Sequence, residues 1–262
     1  DFVLICVDTP VDAFAEPDLR NLRAAVYGVA DYISDGACIV LRSTVPPGTS
    51  QLVSGWLGNS GNRSISIAVQ PEFFQEGRAL EDCWNPIRIV VGSEKEETAL
   101  LVANLWKTRE APVVVTDLAT AEMIKQASNA FLATKISFIN DIAGICDAVG
   151  ADIDKVAEGM GHDPRIGFSY LKAGIGFGGS CLPKDLRALL HTAASKGVAV
   201  QQLEATIAVN ERQREIVLRI LSEHLGNLTR SSIAILGLAF KPGTSDLRDS
   251  PAIALAESLA LA

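Results

Sequence analysis

The sequence predicts an α/β fold built on a parallel, doubly wound sheet, followed by a long helix and the start of a second sheet domain. Short, continuous apolar runs, of which residues 2–7 are the first, are typical of parallel strands covered on both faces. Stretches with apolar residues at helical spacing separate these runs, and such alternation is typical of a parallel sheet. A helical pattern over residues 120–149 then separates this sheet from the rest of the chain.

The predicted sheet places three loops at one edge. We predict strands over residues 2–7, 37–41, 64–69 and 87–92, with helices over residues 19–34 and 48–57. Doubly wound sheets bind ligands beyond the carboxyl ends of their strands. The loops at that edge are Asp8-Thr9-Pro10, Ser43-Thr44 and residues 71–77. In the last loop, Glu72 and Glu76 are either solvated carboxylates in the first turn of a helix or include a base that faces the cleft.

No Gly-x-Gly-x-x-Gly fingerprint opens a strand–helix pair in this sequence, although such loops hold the pyrophosphate of dinucleotides. The chain begins without Met, inside a strand-like run, and stops inside a helical run. We therefore interpret it as a fragment of a longer protein, from which the fingerprint is missing.

Lys125 and Asn129 introduce polar groups into the long predicted helix, which Thr116-Asp117 can cap. They are four residues apart, so they share one face of the helix. One interpretation is structural, with a snorkelling lysine and an asparagine that fixes a helix contact. The other is that both side chains point into a site and bind a substrate oxygen. A helix of this length also suits a subunit interface.

The strongest chemical signal is the stretch of residues 174–185, Gly-Ile-Gly-Phe-Gly-Gly-Ser-Cys-Leu-Pro-Lys-Asp. Its glycines allow a backbone that lies close against a ligand, and Pro183 suits the start of a helix. Cys181 therefore precedes a helix N-terminus, where backbone N–H groups favour a thiolate, and Lys184 and Asp185 follow it. A buried cysteine in a glycine turn is the alternative, but these surroundings favour a nucleophile.

The last part of the chain predicts the beginning of another nucleotide-type domain. A helix over residues 152–159 and a loop over residues 162–167 precede the glycine stretch, and a helix over residues 202–225 follows it. We then predict a strand over residues 233–240 and a helix that begins at Ser250-Pro251. Lys241 and Arg248 lie between these two elements, as in a turn that binds phosphate.

Composition excludes several classes of partner. The net charge of −8 argues against a surface for nucleic acid or an anionic membrane, and no apolar run approaches the roughly 20 residues of a membrane span. The five cysteines form no Cys-x-x-Cys pair, and Cys6, Cys38 and Cys146 lie in apolar runs typical of reduced core residues in a cytoplasmic protein. The three histidines are isolated, so we expect no metal site.

Taken together, these motifs resemble the UDP-glucose/GDP-mannose dehydrogenase family over essentially the whole chain. The resemblance rests on the glycine stretch with Cys181 and on four further motifs: Ser-Thr-Val-Pro-Pro-Gly from residue 43, Pro-Glu-Phe-Phe-Gln-Glu-Gly from residue 71, Ala-Glu-Met-Ile-Lys-Gln-Ala-Ser-Asn from residue 121, and Gly-Leu-Ala-Phe-Lys-Pro-Gly-Thr-Ser-Asp-Leu-Arg-Asp-Ser-Pro from residue 237. Asp-Pro-Arg-Ile-Gly from residue 163 is similar to the UDP-glucose branch rather than the GDP-mannose branch. Residues 71–74 differ from the UDP-N-acetylmannosamine branch.

The resemblance implies two Rossmann-like domains joined by a central helical domain. Residues 1–116 would be the rear part of the NAD-binding domain, residues 117–228 the central domain with Cys181, and residues 229–262 the start of the UDP-binding domain. It further implies NAD as cofactor, UDP-glucose as substrate and a homodimer formed through the central helix. The family oxidises the C6 alcohol of the sugar to a carboxylate with two NAD+.

The resemblance also assigns roles to residues of this sequence. Cys181 would form a thiohemiacetal and then a thioester, while Lys125 and Asn129 would stabilise the developing oxyanions. Asp185 would order a water or accept a proton, Glu72 would be the base for thioester hydrolysis, and Thr44 would orient water or nicotinamide. The cofactor positions are Val7, Asp8, Thr9, Pro10, Ser43, Thr44, Glu76, Lys184 and Arg248. The nucleotide-sugar positions are Glu72, Lys125, Asn129, Arg165, Tyr170, Lys172, Phe177, Gly178 and Lys241.

Three alternatives stay open at this point. The first is a sister dehydrogenase that acts on GDP-mannose or a UDP-N-acetylhexosamine. A two-electron 3-hydroxyacid dehydrogenase would share the sheet and the central helix, but it needs no thiol. Because the glycine loop for the NAD pyrophosphate is missing, the third alternative is a dimerising module that does not turn over.

Overall fold

The chain divides into two compact units. The computed structural model describes residues 1–12, 15–58 and 64–261, which together form five β-strands and nine α-helices. The first unit, here called the sheet unit, comprises residues 1–128 and 187–196. The second, here called the helical unit, comprises residues 129–186 and 197–262.

The sheet unit confirms the predicted α/β fold. Its elements follow one another as β1 (Phe2–Ile5), α1 (Arg20–Ala30), β2 (Cys38–Leu41), α2 (Thr49–Leu57), β3 (Ser66–Val69), α3 (Ala79–Trp84), β4 (Ile89–Ser93), α4 (Glu96–Ala103) and β5 (Val113–Thr116). The strand order in the sheet is β1-β2-β3-β4-β5. The four predicted strands are present, each one or two residues shorter than predicted, whereas β5 is absent from the prediction.

The sheet is not parallel throughout. β1, β2 and β3 are parallel, and so are β4 and β5, but β3 and β4 run antiparallel. The prediction of a wholly parallel sheet is therefore wrong at this pair. Residues 70–88 hold a loop and the six-residue helix α3. Because a helix of this length advances only about 9 Å, it does not return the chain across the sheet to begin a parallel strand.

Apolar clusters cover the two faces of the sheet. Ile39 and Leu41 of β2 pack with α1 and α2 in one cluster, whereas Cys38 and Val40 pack with α4 in the other. This two-sided cover explains why β2 is a continuous apolar run. β1 differs, because Phe2 is 37% and Leu4 44% exposed within the described structure. The expected two-sided cover is wrong for β1, an edge strand whose second face α4 does not reach.

The five remaining α-helices of the described chain lie wholly or partly in the helical unit. They are α5 (Leu118–Val149), α6 (Ile153–Gly161), α7 (Leu182–Ser195), α8 (Gln201–Leu225) and α9 (Pro251–Leu261). Asp117 caps α5 as predicted, since it accepts hydrogen bonds from the N–H and the hydroxyl of Thr120 at 2.8 and 2.6 Å. α5 and α8 pack closely, because the Ser137 hydroxyl donates to the Thr206 carbonyl at 2.7 Å. No helix in the described part of the chain is long and apolar enough to cross a membrane.

The predicted strand over residues 233–240 is wrong. These residues adopt no regular secondary structure in the described chain, and Leu236 is 95% exposed. A strand needs a neighbour to pair its N–H and C=O groups, and no described strand runs beside this segment. The helix that follows does begin at Pro251 as predicted. The Ser250 hydroxyl donates to the Leu238 carbonyl at 2.7 Å and so ties the segment to the helix start.

Candidate functional site

In the sheet unit, the loops that follow β1 and β2 are bonded to each other. The Val7 N–H donates to Ser43 Oγ at 2.8 Å, and that hydroxyl donates to the Val7 carbonyl at 2.6 Å. The Thr9 hydroxyl donates to the Thr44 carbonyl at 2.6 Å. Because β1 and β2 pair in parallel register, both loops leave the same edge of the sheet. Asp8 is exposed at this edge, whereas Thr44 and Pro10 are half-buried.

Lys125 and Glu72 form an ion pair within the same unit. Lys125 Nζ lies 3.6 Å from Glu72 Oε1, and the lysine side chain is only 6% exposed. The ammonium also lies 5.2 Å from the centre of the Phe73 ring. Lys125 therefore does not snorkel to solvent, and its buried charge is matched by a carboxylate.

Glu72 and Glu76 lie in a loop and not in the first turn of a helix. Residues 71–76 have no helical structure, and α3 begins only at Ala79. The carboxylate of Glu72 accepts the Phe74 N–H at 2.5 Å, which fixes its orientation towards its own loop. The interpretation of these glutamates as first-turn carboxylates is therefore wrong, and both side chains are half-buried.

Glu122 is a structural residue that the sequence analysis misses. Its side chain is 1% exposed, and its two oxygens accept the N–H groups of Gly48 and Ser50 at 2.6 and 2.7 Å. These donors belong to the start of α2, so the carboxylate fixes that helix N-terminus, and with it the loop after β2, to α5. Burial raises the pKa of Glu122, while the two N–H groups act in the opposite direction. An acidic residue three positions before Lys125 in an apolar helix is the signal that could have identified it.

Replacing Glu122 by Gln should destabilise the sheet unit by about 1–3 kcal/mol. An amide places an NH2 group against one of the two backbone donors, Gly48 N–H or Ser50 N–H. Urea unfolding measures the loss, and Glu94→Gln, at an exposed position, is the control. An unchanged unfolding midpoint would contradict the role of Glu122.

The pH dependence of the same comparison has a definite sign. Because the folded-state pKa of Glu122 is raised, its contribution to the free energy of unfolding is full below the ordinary glutamate range and declines as pH rises through the folded-state value. The Gln variant lacks this decline. The destabilisation by Glu122→Gln should therefore shrink as pH rises, and a difference that grows with pH would contradict the assignment.

In the helical unit, Cys181 immediately precedes α7, as predicted. Its side chain is exposed, and Ser180 Oγ lies 3.5 Å from its sulfur. The Cys181 carbonyl accepts the Asp185 N–H at 2.9 Å, which closes the first turn. The alternative of a buried structural cysteine is therefore wrong. The thiol lies at the N-terminus of a 14-residue helix, where the helix dipole favours negative charge.

Asp185 is the centre of a buried polar network in this unit. Its side chain is 1% exposed, and its oxygens accept hydrogen bonds from Asn129 Nδ2 at 2.5 Å and from Lys184 Nζ at 2.7 Å. Asn129 is also buried, so its amide donates to a carboxylate and not to solvent. The network brings together three of the predicted site residues and orients them rigidly.

The glycines before Cys181 allow a close approach of the segment that precedes α9. A Cβ on Gly178 would lie 2.1 Å from the Asp249 carbonyl oxygen, and one on Gly179 would lie 2.7 Å from the Phe240 ring. The Gly179 N–H donates to the Arg248 carbonyl at 2.9 Å. Glycine is required at residue 178 because the Asp249 backbone lies against it, and it is favoured at residue 179 by a φ of 84° beside the Phe240 ring.

Other predicted residues have contacts outside the buried network. Arg165 is exposed and its guanidinium pairs with Asp163 of its own loop at 2.6 Å, which lowers the pKa of that aspartate. Lys172 is exposed, and Tyr170 has a φ of 65°. The remaining predicted cations are Lys241, which lies 5.5 Å from the Phe240 ring centre, and Arg248, which pairs with Asp246 at 2.8 Å.

No group of three potential metal ligands occurs among the described residues.

Thiol labelling should separate the five cysteines in the native protein. Cys181 and Cys6 are exposed, Cys83 is intermediate, and Cys38 and Cys146 are buried. Exposure of Cys6 corrects the expectation of a core residue, because it lies just beyond the end of β1. Burial raises the pKa of Cys38 to about 11, which further suppresses its reactivity.

A disulfide reagent should therefore label Cys181 and Cys6 quickly and the two buried thiols only after unfolding. Cys181→Ser and Cys6→Ser should each remove one fast equivalent, as mass spectrometry of the labelled peptides can verify. Fast native labelling of Cys38 or Cys146 would contradict the assignment.

Three domain models of one family match this chain in order. Residues 1–110 match the NAD binding domain of the UDP-glucose/GDP-mannose dehydrogenase family, residues 119–212 match its central domain, and residues 234–262 match its UDP binding domain. The chain belongs to this family. The matched regions contain the loops after β1 and β2, the ion pair of Lys125 and Glu72, and the network around Asp185.

Individual relatives agree with this assignment. UDP-glucose 6-dehydrogenase TuaD of Bacillus subtilis is 47% identical over 255 residues, which are 97% of this chain and 55% of the relative. A UDP-glucose dehydrogenase structure from Pyrobaculum islandicum is similar with a TM-score of 0.96 and 39% identity, over 100% of this chain and 62% of that one. A UDP-D-ManNAc dehydrogenase structure from Pyrococcus horikoshii has a TM-score of 0.88 and 30% identity, over 99% and 63% of the two chains. The chain thus spans between 55% and 63% of the length of these relatives.

The residues of the sheet unit fit part of an NAD site. Dinucleotides bind beyond the carboxyl ends of parallel strands, where this unit presents the bonded loops 7–10 and 43–44. The half-buried Thr44 and the exposed Asp8 supply polar groups at that edge. The fit agrees with the family model for residues 1–110.

Proposed function

We propose that the protein to which this chain belongs oxidises the C6 alcohol of UDP-glucose to a carboxylate with two NAD+. The observation that carries the proposal is Cys181, an exposed thiol at the N-terminus of α7, four residues before the buried carboxylate of Asp185. The family and the activities for which its relatives are named support the substrate class. We also propose the domain division 1–116, 117–228 and 229–262.

The four-electron oxidation explains why a thiol is needed. Removal of a hydride and a proton from the alcohol gives an aldehyde, which the thiolate of Cys181 attacks to form a thiohemiacetal. Loss of a second hydride gives a thioester, and water then releases the carboxylate and the thiol. NAD+, when bound, accepts the hydride in each oxidation. An enzyme without the thiol would release the aldehyde after the first oxidation.

We assign the polar residues according to their partners. Lys125 carries a positive charge and Asn129 an amide donor, and both suit a developing oxyanion. Asp185, which already binds Lys184 and Asn129, would hold a water or take a proton. Glu72, paired with Lys125, would be the base for thioester hydrolysis, and Thr44 would orient water or nicotinamide.

The remaining assignments concern binding. We propose that loops 7–10 and 43–44, with Glu76, Lys184 and Arg248, contact NAD. We propose that Arg165, Tyr170, Lys172, Phe177, Gly178 and Lys241 contact the nucleotide-sugar, together with Glu72, Lys125 and Asn129. The cations among them would offset the net charge of −8 where a pyrophosphate binds. We also propose a cytoplasmic location, because the thiol of Cys181 must stay reduced for this chemistry.

Turnover with UDP-glucose should give two NADH for each sugar and a uronate as product. Cys181→Ser should reduce uronate formation by roughly a thousandfold or more, because the aldehyde is no longer held for the second oxidation. Cys6→Ser, at another exposed cysteine, is the matched control and should keep the wild-type rate. Absorbance measures the NADH that each variant forms, and chromatography of the sugar products measures the uronate.

Uronate formation at the wild-type rate by Cys181→Ser would refute the mechanism.

A substrate panel with GDP-mannose and UDP-N-acetylmannosamine tests the sister dehydrogenases. If the enzyme prefers either of these sugars, that sugar replaces UDP-glucose as the proposed substrate. Calorimetry with NAD+ tests whether the 262-residue chain is only a dimerising module. If it neither binds NAD+ nor turns over, the same assays on the complete gene product decide the proposal.

We further propose that the helical unit forms a homodimer through α5. Phe131, Phe138 and Ile145 are spaced by seven residues, so they lie along one face of the helix. They are 65%, 48% and 58% exposed, and Val149 extends this apolar row at 71%. A row of large apolar side chains on a packed unit is typical of a subunit contact.

Phe131→Asp should shift the protein from dimer to monomer by raising the dimer dissociation constant at least tenfold. The substitution places a charge in the apolar contact. Because the Phe131 side chain is 65% exposed, its replacement should leave the core of the helical unit intact. Ile220→Asp, at an exposed position of α8, is the control. Sedimentation equilibrium at micromolar concentration measures both, and a wild-type monomer would contradict the proposal.

A further inference from the structure

The loop that leads into Cys181 is held by side chains from two helices. Residues 174–180 form no helix or strand in the described structure, so their backbone groups need other partners. The proposed function assigns Phe177 and Gly178 of this loop to the nucleotide-sugar. The residues that fix the loop therefore bear on substrate binding.

Asn210 of α8 makes two hydrogen bonds to the backbone of one loop residue, Phe177. Its Oδ1 accepts the Phe177 N–H at 2.7 Å, and its Nδ2 donates to the Phe177 carbonyl at 3.1 Å. A primary amide carries the same donor and acceptor pair as a peptide group, so it acts here as a neighbouring strand would. Aspartate keeps the acceptor but lacks the donor, and alanine lacks both.

Gly176 permits this contact. A Cβ at residue 176 would lie 2.6 Å from Asn210 Oδ1, closer than the two atoms can approach. The φ of Gly176 is 107°, a conformation that favours glycine. The glycine spacing in the sequence thus reflects contact with an amide on another helix as well as access to a ligand.

A second asparagine holds the beginning of the same loop. Asn140 of α5 is 4% exposed, and its Oδ1 accepts the Gly174 N–H at 2.8 Å. Gly174 and Phe177 are three residues apart, so α5 and α8 fix the two ends of one short segment. These hydrogen bonds hold the backbone that leads into Gly178 and Cys181.

We propose that Asn210 is a positioning residue for the nucleotide-sugar, which acts through the backbone of Phe177 and Gly178. The inference rests on the proposed function, because that function places the substrate against this loop. Asn210 itself takes no part in the chemistry of Cys181. Its loss should therefore weaken substrate binding more than it slows the chemical steps.

Asn210→Ala should raise the KM for UDP-glucose at least tenfold while kcat changes less than threefold. The Phe177 N–H should lose protection against hydrogen exchange, whereas the amide hydrogens within α5 and α8 keep theirs. Asn210→Asp, which retains the acceptor, should restore protection of that N–H but not the low KM. Gln202→Ala, at an exposed position of α8, is the matched control and should change neither quantity.

Gly176→Ala provides an independent approach from the loop side. Its new methyl group meets Asn210 Oδ1, so the effect of Gly176→Ala on KM should be smaller in the Asn210→Ala background than in the wild type. Fully additive effects would overturn direct contact between the two positions.

The outcomes separate the inference from the proposed function. Unchanged hydrogen exchange at the Phe177 N–H in Asn210→Ala overturns the hydrogen bonds between Asn210 and Phe177. Raised exchange with an unchanged KM in an active enzyme overturns the positioning role. If the wild-type complete protein fails to oxidise UDP-glucose, the proposed function fails. The hydrogen-exchange measurement then tests the contact between Asn210 and Phe177 by itself, because it needs no substrate.

Discussion

Helix α5 carries buried charged and polar side chains, and three of them pair with groups of opposite or complementary character. Glu122 accepts two N–H groups at the start of α2, Lys125 pairs with Glu72, and Asn129 donates to Asp185. A buried charge without a partner is strongly destabilising, so each pairing constrains the loop or helix that supplies the partner. The spacing of these residues along one helix thus determines where the partner loops lie within each unit.

This constraint connects stability with chemistry. Glu122 fixes the start of α2 and the loop after β2, which contains Ser43 and Thr44. Three residues later, Lys125 fixes the loop that contains Glu72. Residues assigned to chemistry are therefore held by the same contacts that stabilise the sheet unit, and they need little reorganisation to act.

The helical unit uses glycine and asparagine for the same purpose. Gly176, Gly178 and Gly179 allow other backbone or side-chain atoms to approach to distances that a Cβ would prevent. Asn210 and Asn140 then provide the hydrogen bonds that a loop without secondary structure lacks. These contacts hold the chain before Cys181 in place although it contains no regular element.

The sequence by itself determined the elements whose signals are local. The apolar run of β2, the cap of α5 by Asp117, the position of Cys181 before α7 and the start of α9 at Pro251 follow from patterns within a few residues, and the structure confirms each of them. The motifs with Cys181, Lys125 and Glu72 also identified the family. Such features depend on side-chain spacing and backbone preference, which a single stretch of sequence displays.

Tertiary structure alone decided the features that depend on distant partners. The antiparallel pairing of β4 depends on how the chain returns from α3, and the strand expected over residues 233–240 does not form where no described strand lies beside it. Glu122 and Asn210 gain their roles from N–H and C=O groups 72 to 74 and 33 residues away in the chain. Their residue types allow many partners, and only the packed structure selects one, because hydrogen bonds and close contacts require positions in space that local sequence does not encode.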